Sequence, residues 1–297
     1  MFTRQSPSRG PGSPRVVGFY DKPSGSAQYV AIDDGTKTCV LIDVVQDFDT
    51  RSAGTGFTAA QEILDFVRAE GLEVAYVLDT HPHADHLMAS AWLKAQTGAP
   101  NGIGAKVAEI AELWRGIYHL PEAFDVARDF DHLLEDGATL TFGGLEIRVM
   151  LSPGHTLGSV TYVIGDAAFV HDTLMQADVG SSRADFPGGS AAMLWDSIQA
   201  ILSLPEETRL FIGHDYPPVG NREDPAWQAT VAEHRAQNPH IAGKSREDFI
   251  ALREERDATL PLPDRMLYAL QVNLRAGRLP PPEADGRSYF KIPANRF

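Results

Sequence analysis

The feature that most constrains the fold is an apolar segment that runs directly into a histidine-rich loop. Residues 74–78 read Val-Ala-Tyr-Val-Leu, which indicates a strand buried on both faces. Residues 81–86 follow as His-Pro-His-Ala-Asp-His, so three imidazoles and one carboxylate occur within six residues. Imidazole and carboxylate bind zinc and iron in proteins, and α/β sheets commonly bind ligands at the C-terminal ends of strands. The segment therefore predicts a metal site at a strand end of an α/β protein.

Three more strand-like segments end beside possible ligands. These segments, residues 145–151, 167–170 and 209–212, precede His155, Asp172 and His214 respectively. His171 adjoins Asp172, and we interpret it as a structural residue. A catalytic metal site keeps a position open for water or substrate, so such a ligand set favours an enzyme over a non-catalytic metal-binding protein. The predicted metal ligands are His81, His83, Asp85, His86, His155, Asp172 and His214.

The composition argues against several other classes of function. The formal net charge of −14 and the lack of a basic stripe oppose contact with phosphate backbones, so we expect no nucleic-acid partner. The sequence has no run of about 18 apolar residues, so we expect no membrane partner. Cys39 is the only cysteine, which precludes an internal disulfide and predicts a reducing, cytoplasmic location. Because Cys39 lies in an apolar run, we predict a buried thiol rather than a nucleophile.

The ligand motifs resemble those of a known family. Thr-His-Pro-His-Ala-Asp-His at residues 80–86 resembles the signature loop of the metallo-β-lactamase superfamily. Three later segments of this chain, Ser-Pro-Gly-His-Thr, His-Asp-Thr and Gly-His-Asp-Tyr, resemble the further ligand motifs of that superfamily. They contain His155, Asp172 and His214 respectively. Gly-His-Asp-Tyr, together with Thr-Val-Ala-Glu, Asn-Pro and the late Lys-Ile-Pro-Ala-Asn, looks like the persulfide dioxygenase branch, near the glyoxalase II thioesterases. The resemblance implies an α/β fold of the αββα sandwich type, with a helical C-terminal extension and the metal at one edge of the two sheets.

Two chemistries are compatible with this resemblance. The persulfide dioxygenase branch implies one Fe(2+) per chain, bound by His81, His155 and Asp172, with glutathione persulfide or a similar small persulfide oxidised to sulfite and thiol. The glyoxalase II-like alternative implies two Zn(2+) ions that generate hydroxide for attack on a thioester or lactone. In that alternative Asp172 bridges the ions, and the remaining ligands divide into His81, His83 and His155 on one and Asp85, His86 and His214 on the other. The inventory of ligands does not choose between them.

The resemblance also assigns residues outside the metal ligands. It implies catalytic roles for Asp85 and Tyr216 and places Tyr216 beside the substrate, although a buried core tyrosine is the equal alternative. The segment Gly-Ser-Ser-Arg-Ala-Asp-Phe at residues 180–186 resembles a segment of the branch whose arginine meets a carboxylate of glutathione. Arg183 is the matching residue and suits a carboxylate, but a structural pairing with Asp185 is an equal alternative.

Residues 16–297 are predicted to form a single domain, preceded by a disordered tail over residues 1–15, which has three prolines and no apolar face. The chain is longer than the family norm between His86 and His155, which indicates a helical insertion over about residues 105–136. This insertion, with Trp114, Tyr118 and Phe124, either shapes the pocket or contacts a second copy of the chain in a homodimer. Residues 222–297 have a mostly helical pattern.

Overall fold

A computed structural model of the chain describes residues 1–215 and 222–297. Its strands are β1 (Phe2–Ser6), β2 (Arg15–Asp21), β3 (Ser26–Asp33), β4 (Thr38–Ile42), β5 (Val45–Asp49), β6 (Gly54–Gly56), β7 (Glu73–Asp79), β8 (Leu87–Met88), β9 (Asn101–Gly104), β10 (His132–Leu134), β11 (Thr139–Phe142), β12 (Leu145–Leu151), β13 (Val160–Ile164), β14 (Ala167–His171), β15 (Arg209–Ile212) and β16 (Gln228–Thr230). Its helices are α1 (Thr58–Ala69), α2 (Ser90–Thr97), α3 (Val107–Tyr118), α4 (Val126–Asp129), α5 (Ala191–Leu202), α6 (Val231–Gln237), α7 (Arg246–Asp257) and α8 (Met266–Asn273).

Two packed sheets form the centre of the fold. The first has the strand order β1-β2-β3-β4-β7-β9-β10, and the second has the order β11-β12-β13-β14-β15-β16. Side chains from both sheets share one core, to which α5 also contributes, while α1 packs on the other face of the first sheet. The predicted αββα sandwich with a helical C-terminal part is therefore confirmed.

Strand β3 shows why the first sheet is covered on both faces. Its side chains alternate between the two faces, as the pleat requires. Tyr29 and Ala31 belong to the core shared with the second sheet, whereas Val30 and Ile32 pack with α1. A strand covered on both faces is mostly apolar, and the structure buries seven of the eight residues of β3, including the polar Ser26 and Gln28.

Parallel pairing brings the ligand-bearing loops together. Strand β7 runs parallel to β4 and β9, and β14 runs parallel to β15. The C-terminal ends of parallel strands lie at one edge of a sheet, so the loops after β4 and β7 adjoin, as do those after β14 and β15. The backbone N–H of Ala27 in the first sheet donates to the carbonyl of Gly213, 2.7 Å away, and so joins the two edges at the site.

The N-terminal residues differ from the predicted disordered tail. Strand β1 pairs antiparallel with β2 at the edge of the first sheet. Beyond it, the fully buried guanidinium of Arg209 donates to Ser6 Oγ, the Pro7 carbonyl and Ser13 Oγ at 2.8–3.1 Å. Interactions with residues about 200 positions away order this segment, and no local pattern reveals them.

The two predicted helical regions also contain strands. Residues 105–136 hold α3, the short α4 and strand β10, which pairs parallel with β9. Residues 222–297, which have a mostly helical pattern, also contain the short strand β16 before α6 begins at Val231. Trp114, Tyr118 and Phe124 are buried in the chain's own core, in a cluster that also includes residues of α8.

Two further expectations concern the cysteine and the membrane. Cys39 is buried, and burial raises the pKa of its thiol to about 12, so the thiolate is not accessible at neutral pH. The prediction of a buried thiol is confirmed. Within the described ranges, no helix is long and apolar enough to cross a bilayer.

Candidate metal centre

Asp43 fixes the start of the histidine-rich loop. It follows β4 with a positive φ of 53°, and its Oδ1 accepts from the backbone N–H of Thr80 at 2.7 Å. Its Oδ2 accepts from Thr80 Oγ1 at 3.0 Å. The carboxylate therefore ties the end of β4 to the end of β7, and the histidines that follow Thr80 start from a fixed backbone.

The predicted ligands meet around one carboxylate oxygen. Asp172 Oδ2 lies 3.6 Å from His81 Nε2, 3.7 Å from His155 Nε2 and 3.5 Å from His214 Nε2. His81, His83, His171 and Asp172 have ligand atoms within 4.8 Å of one another, and so do His83, Asp85 and His86. All seven predicted ligands thus lie in one connected cluster, a metal-binding arrangement of histidine and aspartate.

Orphaned nitrogen atoms test whether a metal ion fits. In the described part of the chain, His81 Nε2, His83 Nδ1 and His86 Nε2 are buried without a hydrogen-bond partner. A buried polar atom without a partner is destabilising by about 1–3 kcal/mol, and native structures contain few of them. Three such atoms in one cluster are accounted for if they bind metal, so the residues fit a divalent ion.

In each of these imidazole rings, a protein group contacts the nitrogen that faces away from the proposed metal, which we call the outer nitrogen. His83 Nε2 lies 3.0 Å from Asp43 Oδ1, and His86 Nδ1 lies 3.0 Å from Ser26 Oγ. His155 Nδ1 lies 2.8 Å from the carbonyl of Arg183, which obliges this nitrogen to be the donor. Hydrogen bonds of this kind fix the tautomer and orientation of a metal-binding imidazole.

Burial and charge set the protonation of the cluster. Burial lowers the pKa of His81 and His83 well below the ordinary imidazole value, and it also lowers the pKa of His155. These rings are neutral at neutral pH, as metal ligands must be. Burial alone would raise the pKa of Asp172, but neighbouring imidazoles, first among them His214, outweigh it and hold that pKa far below its usual range.

His214 carries positive charge between two carboxylates when no metal is bound. Burial lowers the pKa of its ring, but Asp172 and Asp85 outweigh burial and raise the pKa to about 10. His214 Nε2 lies 2.7 Å from Asp85 Oδ2. A metal ion that binds His214 must displace this proton. Either the protonated ring or the metal ion therefore supplies the positive charge between the two carboxylates.

His171 and Gly213 complete the packing of the cluster. His171 Nδ1 lies 3.2 Å from Asp172 Oδ1, and its Nε2 lies 3.6 Å from Asp43 Oδ2. A Cβ at position 213 would lie 2.2 Å from the His171 ring and 2.5 Å from Asp172 Oδ1, so only glycine fits there. His171 thus lies between two carboxylates, and its structural role stays an interpretation.

Sequence reasoning missed Asp43 and Ser26, two of the residues whose side chains hold outer nitrogens. Asp43 had a usable signal, since it is a carboxylate directly after a buried apolar run, as Asp172 is. Ser26 had none, because a serine that begins a strand is ordinary.

A cavity of about 750 Å³ opens onto the cluster. Asp85, His155, Asp172 and His214 lie at one end of it. Apolar side chains such as Met175, Val179, Phe186, Leu260 and Leu262 line much of the rest, together with three arginines, Arg183, Arg253 and Arg256, and two further carboxylates, Asp178 and Asp264. The volume is within the range of about 300–1,000 Å³ that small-molecule sites occupy.

Two of the three arginines that line the cavity, Arg183 and Arg256, differ in their partners. Arg183 Nε and Nη2 donate to the carboxylate of Asp185 at 2.6 and 2.7 Å, and its Nη1 donates to the Pro261 carbonyl at 2.7 Å. Of the two interpretations left open for Arg183, the structure shows the pairing with Asp185. Arg256 is exposed and forms no ion pair with any described residue. Tyr216 lies outside the described residues.

The sequence profile of the metallo-beta-lactamase superfamily matches residues 23–214, a range that contains every predicted metal ligand. The chain belongs to the metallo-β-lactamase superfamily. The metal-binding cluster lies at the sheet edge that the superfamily resemblance implied, and loops from both sheets contribute to it.

Relatives within the superfamily have several names. The chain is 56% identical to a beta-lactamase hydrolase-like protein of Xylella fastidiosa over 95% of this chain, and it spans 65% of that relative's length. It is 39% identical to glyoxylase B2 of Dictyostelium discoideum, with 95% of this chain and 97% of that protein covered. Persulfide dioxygenase ETHE1 of Bos taurus is 28% identical, with 94% and 95% covered. The crystal structure of ETHE1 from Myxococcus xanthus matches with a TM-score of 0.70 and 30% identity, covering 94% of this chain and all of that one.

Proposed function

We propose that the chain is a persulfide dioxygenase that uses one Fe(2+) and oxidises a small persulfide, such as glutathione persulfide, to sulfite and thiol. The observation that carries the proposal is that two histidines converge on one carboxylate oxygen. His81 Nε2 and His155 Nε2 lie 3.6 and 3.7 Å from Asp172 Oδ2. Two histidines and one carboxylate with open positions form the set used by non-haem Fe(2+) oxygenases. The match to ETHE1 structures over nearly the whole chain supports the same choice.

The reaction determines what the protein residues must do. Bound iron supplies the redox chemistry and the open positions for sulfur and dioxygen. One O2 and one water provide the three oxygens of sulfite, and the sulfur–sulfur bond breaks so that the thiol leaves with a proton. The Asp85 Oδ2 and His214 Nε2 atoms, which are 2.7 Å apart and belong to residues that line the cavity, would hold a proton for the leaving thiol. This assigns a catalytic role to Asp85; the role of Tyr216 stays a prediction.

The cavity supports a substrate with an apolar sulfur end and an anionic carrier. Phe186 and Leu260 line it beyond the metal ligands, and water is displaced from such a surface when a substrate binds. Arg256 offers the cavity a guanidinium that is not engaged by a described carboxylate. A carboxylate of glutathione would form an ion pair with that guanidinium. Arg183 contacts such a carboxylate only if it exchanges part of its bond to Asp185.

A dinuclear metallo-hydrolase is the second candidate, and one observation favours it. The orphaned His86 Nε2 and the pair of Asp85 with His214 form a complete second ligand set on the other side of Asp172. Two Zn(2+) ions would give a hydrolase of thioesters or lactones. The relative named glyoxylase B2 is compatible with this alternative.

Metal content and oxygen uptake separate the two candidates. We expect one iron per chain in protein purified without oxygen, together with oxygen uptake and sulfite production when glutathione persulfide is added. The control is the same protein after removal of the metal, which should be inactive until Fe(2+) is restored. Two zinc ions per chain with cleavage of a glutathione thioester, and no oxygen uptake, would support the hydrolase instead.

Two histidine variants give an independent comparison. We expect His81→Ala to abolish either activity, since His81 is a ligand in both arrangements. His86→Ala should reduce a two-zinc hydrolase far more than a one-iron dioxygenase, because His86 belongs only to the second ligand set. His119→Asn is the matched control: His119 is exposed at the end of α3 with a φ of 53°, which asparagine also adopts. Equal loss of dioxygenase activity in both site variants would contradict the one-iron assignment.

A further inference from the structure

The loop over residues 180–184 contacts two of the proposed metal ligands from outside the cluster. The carbonyl of Arg183 accepts from His155 Nδ1 at 2.8 Å. The hydroxyl of Ser182 donates to the backbone carbonyl of Asp172. The orientation of the His155 ring and the backbone position of Asp172 therefore depend on where this loop lies.

A buried ion pair on α7 holds the other side of the same loop. Arg253 and Asp257 lie one turn apart on the helix, and their side chains are 1% and 5% exposed. Arg253 Nη2 donates to Asp257 Oδ1, and its Nη1 donates to the Ser181 carbonyl at 3.1 Å. Asp257 Oδ2 accepts from the backbone N–H of Ala184 at 2.8 Å. The pair thus binds the loop on both sides of residues 182 and 183.

The segment before α7 adds two more anchors to the loop. Asn238 Nδ2 donates to the Gly180 carbonyl at 2.9 Å. His240 Nδ1 accepts from the backbone N–H of Ser181 at 3.0 Å, and burial lowers the pKa of this imidazole to about 4, which keeps it an acceptor. Gly180 has a φ of +129°, and a Cβ there would lie 2.4 Å from His240 Nδ1. The approach is close enough that only glycine fits.

The directions of these bonds distinguish positioning from general stabilisation. A buried ion pair is weak evidence for stability, because its desolvation cost offsets its attraction. Here Asp257 Oδ2 and Arg253 Nη1 are directed to one N–H and one C=O that flank the residues contacting His155 and Asp172. Partners that orient a metal ligand from outside commonly change metal affinity about 10- to 100-fold when they are removed.

We propose that Arg253 and Asp257 are positioning residues for the metal. They fix the 180–184 loop, and through it the Arg183 carbonyl sets the ring of His155 and Ser182 sets Asp172. The inference rests on the part of the proposed function in which His155 and Asp172 bind metal. It holds for iron and for zinc alike.

The test measures metal binding without substrate. We expect Asp257→Asn and Arg253→Met to raise the dissociation constant for Zn(2+) by about 10- to 100-fold in a competition titration against a chelator. The visible absorption spectrum of the Co(2+)-loaded protein should also change, because it reports the geometry of the ligands. Arg246→Met is the matched control: Arg246 begins the same helix and pairs with Asp196 at the surface, 3.1 Å away, with side chains 43% and 63% exposed. It should leave affinity and spectrum unchanged.

Two further variants keep the result decisive. Arg253→Lys retains the charge but cannot bind both Asp257 and the Ser181 carbonyl through a planar fork, so it should restore only part of the affinity. Ser182→Ala removes one contact to Asp172 without disturbing α7, and it decides the matter if the α7 variants do not fold. Affinity within threefold of the wild type in folded Asp257→Asn and Ser182→Ala proteins, with an unaltered Co(2+) spectrum, would overturn the proposal. Absence of dioxygenase activity would leave it standing, since no substrate is used.

Discussion

Gly213 shows how single residues limit this site. The backbone at this position passes so close to His171 and Asp172 that hydrogen is the one side chain that fits. Asp43 has a comparable role, because one carboxylate serves Thr80 and His83 together. The tautomers of the site histidines therefore follow from residues that bind no metal.

The first prediction is that Gly213→Ala weakens metal binding. An added Cβ would lie 2.2 Å from the His171 ring and 2.5 Å from Asp172 Oδ1, so the backbone or these two side chains must shift, and we expect Asp172 to be displaced from its present position. We expect loss of at least tenfold in Zn(2+) affinity by competition titration, and a lower melting temperature of the metal-free protein. Gly116→Ala is the control, since nothing lies within 4 Å of a Cβ there and alanine favours helix α3 by about 1 kcal/mol. Unchanged metal affinity in Gly213→Ala would contradict the assigned position of Asp172.

The sequence predicted the residues of the cluster better than the residues that support them. Motif residues such as His81 and His155 follow apolar strands, and that local signal is strong. The partner of Arg183 could not be chosen, because a carboxylate two residues away and one on a substrate satisfy a guanidinium equally well. Ser26 and the Arg253–Asp257 pair lay beyond prediction, since their roles exist only after segments distant in sequence are packed together.

At the scale of elements, apolar runs identified the strands that carry the site, but the edges of the sheets were harder. Strand β1 is mostly exposed and polar, so its sequence shows no buried face. It is ordered by pairing with β2 and by Arg209, whose side chain is 1% exposed. Strand β16 was likewise hidden, because three residues ahead of a helix give too short a pattern to separate from the helix.

The second prediction concerns this N-terminal element. Arg209→Met should release residues 1–14, because it removes the donors to Ser6, Ser13 and Asp166 together. We expect the free energy of unfolding in urea to fall by about 3 kcal/mol. This is near the low end for a broken buried ion pair, because the Asp166 side chain is 27% exposed and water can solvate it. Limited proteolysis followed by mass spectrometry should show cleavage before residue 15.

Arg9→Met provides the control for that experiment. Arg9 also approaches Asp166, at 3.7 Å, but its side chain is 44% exposed, so its removal should change the free energy of unfolding by less than about 1 kcal/mol. Equal protease resistance in the wild type and Arg209→Met would show that β1 pairing alone orders the segment.

At the scale of the whole molecule, the proposed metal joins loops from both sheets, which also share one apolar core. His81, His83, Asp85 and His86 follow a strand of the first sheet, whereas His155, Asp172 and His214 follow strands of the second. The C-terminal helices reach the same point through α7 and the 180–184 loop. Metal binding should therefore stabilise both sheets and the helical extension as one unit.

The third prediction follows from this linkage. A ligand that binds only the folded state at 1,000 times its dissociation constant adds about 4 kcal/mol to the free energy of unfolding. For a chain of this size that is a rise of about 8 °C in the melting temperature, measured by calorimetry under anaerobic conditions as Fe(2+) is added to metal-free protein. Mg(2+) is the control, since it prefers oxygen ligands and should give little shift. If one iron is bound, the rise should be complete at one equivalent, because only the set of His81, His155 and Asp172 is then used. A second rise between one and two equivalents of Zn(2+), lost in His86→Ala, would instead reveal the second ligand set and favour the hydrolase.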